Sequence, residues 1–131
     1  MRLEVVTPER RVVDETVDAV TIPTQNGEIG ILPAHAPLIS NLRAGVLSYT
    51  KGAATNRLVV SGGFVEVGAQ RVSVLADNAE FAEEVNVADA RAERERLERA
   101  MANFDGSPEE MEQERERLDR AEARLQLVGA K

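Results

Sequence analysis

A chain of 131 residues is long enough for one compact domain and an appendage, since a domain near that size buries roughly two-thirds of the surface its unfolded chain exposes. Its formal charge of -7, from 23 acidic and 16 basic residues, argues against the clustered cationic face that binding nucleic acid requires. The absence of cysteine removes disulfides, thiol catalysis and the common zinc sites, and aromatics at 3% leave a core to be built from Val, Leu, Ile and Ala.

The opening segment, MRLEVVTPERRVV, holds no uninterrupted apolar stretch, and no apolar run anywhere approaches the length of a bilayer span, so neither a signal peptide nor a membrane helix is expected. From Arg2 to about Val85 the chain reads as short β-type runs: LEVV, RVVDETV, AVTIP, EIGIL, GVLSYT, RLVVS, GFVEV and RVSVLA. Gly, Pro, Asn and Asp punctuate them at the spacing of a sandwich or flattened barrel of antiparallel strands.

After EIGIL comes an apolar connection that contains His35, the only histidine, between Pro33 and Pro37. Pro33 fixes the entry and Pro37 pushes Ala36 toward extended backbone, so the segment is stiff, and preordering lowers the entropic cost of docking. His35 reads either as a ring satisfied by neighbouring backbone or as a partner contact. Further on, Val65 and Val67 alternate with Phe64 and Glu66, Gly68-Ala69-Gln70 makes a short connection, and Val72 and Val74 resume the period of two, which predicts a hairpin. Gly62 and Gly63 before it permit a bulge or a close backbone approach.

Near Asn86 the texture changes to Ala, Arg, Glu and Leu. Val87, Ala90, Arg94, Leu97, Met101 and Phe104 recur at spacings of three and four, as do Met111, Leu118, Ala121, Leu125 and Val128 with Glu114 in the gap. Between the two helices Gly106 suits a left-handed C-terminal position, Ser107 an N-cap, Pro108 the first helical residue and Glu110 the third position of a capping box. The expectation is an α+β chain, a β domain over 1–84 followed by an antiparallel helical hairpin over 85–131. The apolar stripe of the hairpin is narrow, so its self-association is worth only a few kcal/mol at roughly 25 cal/mol per Å², and it is able to leave a docked position.

No catalytic set emerges. His35 and Ser40 suggest a hydrolase pair, but no GxSxG elbow or glycine-rich oxyanion loop accompanies them. The acidic residues are dispersed, which suggests no metal, and neither a Walker-type loop nor GxGxxG is present to cradle phosphate, so no cofactor is expected. What remains is a binding or coupling module.

The order of features, GEIGILPAHAPLI, then LVVSGGFVEV and VSVLAD, then a charged helical hairpin, closely resembles the epsilon subunit family of F-type rotary ATP synthases, called delta in mitochondria. The likeness covers nearly the whole chain. It implies a ten-stranded sandwich in the central stalk, bound to the gamma subunit and seated on the polar loops of the c-ring, with no bond chemistry of its own. It implies that Glu28, Ile29 and Gly30 face the c-ring loops, that His35 lies near gamma, and that Pro37 and Leu38 belong to the same contact surface. It implies further that the hairpin either folds on the sandwich or extends toward the catalytic alpha/beta ring and opposes hydrolysis. Arg115, Arg117, Arg120 and Arg124 are then the residues expected to meet acidic surface on that ring.

Some members of the family bind ATP through [IL]DxxRA at the first helix and arginines on both helices. Here residues 85–90 place Asn86 at the aspartate and Asp89 at the arginine, while residues 87–92 keep Arg91 and Ala92 but place Ala88 at the aspartate. Arg91, Arg96, Arg120 and Arg124 are the candidate phosphate contacts, and weak or no ATP binding is expected. The alternative function is an ATP-sensing module whose helices clamp the nucleotide. Membrane attachment is expected only through partners, on the cytoplasmic face of a plasma membrane or the stromal face of a thylakoid.

Overall fold

The computed structural model describes residues 1–129. Ten strands, Arg2–Val6 (β1), Arg11–Thr16 (β2), Ala19–Thr24 (β3), Gly27–Ile31 (β4), Leu38–Asn41 (β5), Gly45–Lys51 (β6), Ala54–Ser61 (β7), Phe64–Val67 (β8), Arg71–Leu75 (β9) and Asn78–Phe81 (β10), precede a short 3-10 turn at Ala82–Glu84. Two helices follow, Val87–Ala102 (α1) and Pro108–Leu127 (α2). The strands form two five-stranded sheets, a first in the order β2-β1-β9-β8-β5 and a second in the order β10-β7-β6-β3-β4.

Period-two alternation explains how the sheets close on each other. Leu3 and Val5 of β1, Val65 and Val67 of β8 and Val72 and Val74 of β9 are buried, while the residues between them face outward. They meet Ile22, Ile31, Leu47 and Leu58 of the second sheet in one aliphatic cluster. Burying each such side chain contributes roughly 1.5–3 kcal/mol. The pairings are antiparallel, as the spacing of the short runs predicts, except that β1 runs parallel to β9 from Arg2↔Arg71 to Val6↔Leu75. No tight turn joins these two strands, so no hairpin dictates their relative direction.

The predicted hairpin is present as β8 and β9, in register from Phe64↔Leu75 to Val67↔Val72. Before it, the close approach expected at the paired glycines is found: Gly63 has φ +86°, and a Cβ there would collide with the Leu75 carbonyl. This is where the chain passes from the second sheet to the first.

Asn86 caps α1 by accepting from the Asp89 amide at 3.0 Å, and Ser107 and Glu110 form the predicted capping box with Pro108 at the first position of α2. The role expected for Gly106 is corrected. Helix α1 ends at Ala102 with Asn103 as its cap, and Gly106 does not adopt positive φ. A Cβ at Gly106 would instead crowd the Phe104 ring. Phe104, placed by the periodicity within the first helix, lies half-buried in the connection. The left-handed residue is Gly129, φ +72°, following α2.

The helices pack antiparallel through Ala90 and Leu97 of α1 and Ala121 and Leu125 of α2, all 2% exposed or less. Helix α2 also lies on β6 and β7, on the outer face of the second sheet.

Candidate functional site

The β3–β4 connection turns because Thr24 Oγ1 donates to the Gly27 carbonyl at 2.6 Å while accepting from the Asn26 amide at 3.2 Å, with Gly27 at φ +99°. The turn delivers Glu28 to the edge strand β4, opposite Pro23 and exposed to solvent. Ile29, opposite Ile22, is half-buried and packs on the core. Gly30 is exposed, has no positive φ, and a Cβ there would meet nothing within 4 Å, so no contact within the chain demands a glycine.

The following loop is held by its own backbone. Ala34 takes φ 65° and donates its amide to the Ala69 carbonyl at 2.7 Å, which ties the loop to the β8–β9 turn. His35 is half-buried, its amide donating to Leu32 O at 3.2 Å. Its Nδ1 lies 2.7 Å from the Ala36 carbonyl and donates to it, which leaves Nε2 for another partner. Both readings of His35 are thus compatible, since one nitrogen is satisfied locally and the other is available. Ser40 is buried with its hydroxyl 3.5 Å from the Asn41 carbonyl; no hydrogen bond joins it to His35 among the described residues, and no nucleophile-base pair is formed.

Pro37 is exposed, whereas Leu38 is half-buried against the core opposite Val67. The large apolar groups that do reach solvent are Leu32, 64% exposed, and Ile39, 69% exposed. Two more, Phe64 and Leu75, lie directly opposite each other on β8 and β9. Register places Asn41, Phe64, Leu75 and Val6 in one row across the outer face of the first sheet, and Ile39, Glu66, Ser73 and Glu4 in the next. Beside this apolar strip stands a chain of surface ion pairs, with Glu4 engaged by Arg71 and Arg2, and Asp14 held by Arg2 at 2.7 Å and Arg11 at 3.2 Å. Sequence reasoning did not single out Leu32, Ile39, Phe64 or Leu75. The signal was available for Phe64 and Leu75, because the hairpin that buries Val65, Val67, Val72 and Val74 must turn the neighbouring residues outward.

The helical arginines fall into two groups. Arg91 and Arg96 are exposed on α1. On α2, Arg117 pairs with Glu114 at 2.7 Å within the helix, and Arg115 lines a groove with Gln25, Arg43 and Asp119. Arg120 and Arg124, one turn apart, both reach Glu80 on β10: Arg120 at 3.8 Å, and Arg124 in a closer ion pair. Arg43 meets Asp119 at 3.3 Å. Among the described residues no cluster of three or more His, Cys, Asp or Glu is placed to hold a metal ion, and no helix is long and apolar enough to cross a membrane.

A sandwich with an aliphatic core, a strip of exposed apolar side chains on one outer face and a helical hairpin over the other defines a two-sheet β-sandwich protein with a helical appendage. Residues 1–82 match the family model for the ATP synthase delta/epsilon chain beta-sandwich domain. The chain is 43% identical over 135 residues to the ATP synthase epsilon chain of Symbiobacterium thermophilum, across 99% of its own length and 94% of the relative's. It is 50% identical over 102 residues to that of Carboxydothermus hydrogenoformans, across 78% and 76% of the two lengths. Among solved structures it is similar to a chain of the Euglena gracilis mitochondrial ATP synthase, OSCP/F1/c-ring in rotational state 1, with a TM-score of 0.78, 25% identity and coverage of 95% of this chain and 78% of that one. A chain of the Tetrahymena thermophila mitochondrial ATP synthase central stalk and c-ring, at 14% identity and a TM-score of 0.68 over 98% and 96% of the chains, shares the fold. The chain belongs to the delta/epsilon family of ATP synthase subunits, a noncatalytic component of that enzyme.

Proposed function

We propose that residues 1–84 couple a gamma-type rotor shaft to the c-ring in the central stalk during proton-driven ATP synthesis, and that residues 85–131 regulate ATP hydrolysis. The observation that carries the coupling reading is the uncovered strip of Ile39, Phe64 and Leu75 on a sheet backed by an aliphatic core. Solvent-facing aromatic and aliphatic residues beside a row of charges match the composition of a protein interface, with an apolar centre and a polar margin that sets register. Glu28 and Gly30 at the edge strand present an anion beside a position where nothing in the chain requires a missing side chain, and this suits close approach by the c-ring loops. His35 Nε2 offers a polar contact to gamma. The similarity to a chain in an F1/c-ring assembly supports this placement, which puts the chain at the membrane periphery, on the cytoplasmic or stromal face, held there by partners.

In the regulatory reading the docked hairpin is one of two positions, and extension frees Arg115, Arg117, Arg120 and Arg124 for acidic surface on the alpha/beta ring. Cutting the chain after Glu84 should raise hydrolysis by the assembled enzyme severalfold; an unchanged rate would remove the regulatory role. The ATP-sensing alternative is opposed by the engagement of Arg120 and Arg124 with Glu80, because a phosphate would have to displace a carboxylate. Calorimetry should show no micromolar affinity for ATP.

A further inference from the structure

Arg124 is the only charged residue buried among those described, at 8% exposure, and it belongs to α2. The carboxylate that answers it belongs to the sandwich. Strand β10 packs Ala79 and Phe81 toward the core, so alternation turns Glu80 to the outer face of the second sheet. Register sets Glu80 opposite Val59, and Val59 opposite Val46, in one row across β10, β7 and β6. Val59 points away from the sandwich core and is nevertheless 1% exposed, because α2 lies over β6 and β7. The apolar part of this seam is therefore short, and its end is a charge cluster in which Glu80 Oε1 serves both Arg120 and Arg124. Immediately before Arg120 on α2, Asp119 is held by Arg43 of the sandwich.

From this arrangement we infer that Glu80 is the keeper of an electrostatic latch that decides whether the hairpin lies on the sandwich. Docking places the Arg124 guanidinium in a site where an unmatched cation is costly, so the docked position depends on the carboxylate beneath it. Release returns both groups to water, where each is solvated, and uncovers the valine row. The mount of the latch is stiff: Arg10 donates to the Ala79 carbonyl at 3.4 Å and pairs with Glu84 at 2.5 Å, pinning β10 and the 3-10 turn to the β1–β2 connection. A seam held by charges rather than by apolar area is graded by ionic strength, since the screening length contracts from about 10 Å at 0.1 M salt to about 3 Å at 1 M. Partial burial of the cluster makes it less sensitive than a surface pair but does not abolish the effect.

The inference deepens the regulatory reading of the hairpin and is separable from it. The chain has no cysteine, so Glu9→Cys and Asp105→Cys, both at exposed positions, provide a dye pair that reports the docked fraction of the full chain by energy transfer. Raising sodium chloride from 0.05 to 1 M should lower the docked fraction. Glu80→Gln should lower the docked-to-undocked ratio about tenfold and flatten its salt dependence. Arg124→Met, which keeps the buried stem, should act in the same direction, and joining it to Glu80→Gln should add little. Asp14→Asn, which breaks ion pairs of the first sheet, should leave the ratio unchanged. A docked fraction indifferent to both salt and Glu80→Gln would overturn the latch and assign docking to the valine row. Loss of docking in Glu80→Gln without any change in hydrolysis by the assembled enzyme would uphold the latch and overturn only the regulatory reading.

Discussion

The two outer faces of the sandwich are built by the same alternation and are finished differently. On the first sheet Phe64, Leu75 and Ile39 stand open to solvent beside surface ion pairs. On the second, Val59 is buried and Val46 half-buried beneath a helix whose Arg124 and Asp119 meet Glu80 and Arg43 of the sandwich. The bare face is apolar at its centre and charged beside it, as suits a lasting joint. The covered face combines a small apolar row with conditional charges, as suits a lid that lifts. Where apolar area is exposed therefore says more about permanence of contact than where secondary structure lies.

The largest change should come from breaking the crossing that serves both faces. Gly63→Ala forces a Cβ into the Leu75 carbonyl at positive φ, and chemical denaturation should show a loss of about 3 kcal/mol. Next, Phe64→Ser together with Leu75→Thr should weaken binding to a gamma-type subunit roughly 100-fold in a titration, with circular dichroism unchanged because neither side chain belongs to the core cluster. A normal affinity in that variant would break the assignment of the first sheet as the joint.

A third, smaller effect tests the contact that ties the two sheets together. Tyr49 of β6 meets Glu15 of β2, and burial, then the Glu15 charge and their hydrogen bond, push the Tyr49 phenol up to about 12 from 10. The raised value favours the neutral phenol in the folded chain, so this stability is complete below pH 10 and fades as pH climbs toward 12. By pH 11 the unfolded chain should gain about 1.4 kcal/mol relative to pH 9 from this group. Tyr49→Phe should remove that alkaline slope in a pH series of unfolding curves. The smallest effect separates the two faces directly: Val59→Thr should cost about 1 kcal/mol of stability and loosen docking, whereas Leu75→Thr should stay within about 0.5 kcal/mol.

Much of this was legible in the sequence because periodicity is written in side chains. The β8–β9 hairpin, the two helices and the Ser107-Pro108-Glu110 start of α2 followed from alternation, threefold and fourfold spacing, and cap chemistry. Strands β5 and β10 were not read as runs, since LISN and NAEF are only four residues long and derive their pairing from neighbours distant in the chain. Missing β5 also hid the outward turn of Ile39, the neighbour of the half-buried Leu38 that the resemblance assigns to the contact surface. Missing β10 hid Glu80, and with it the partner of Arg120 and Arg124, because an ion pair across 44 residues leaves no local pattern. The resemblance supplied the ten-stranded count that local pattern lacked.

The parallel pairing of β1 with β9 bears on how the chain assembles. Arg2 lies opposite Arg71, a separation of 69 residues (71 minus 2), whereas β3, β4, β6 and β7 of the second sheet join through nearer neighbours. Contacts so distant along the chain carry a large loop-closure cost and slow folding. On a ribosome the first strand made must wait, unpaired on that edge, until the ninth has emerged, so the first sheet stays open along β1 while the β3–β4 and β6–β7 pairs of the second are already able to form.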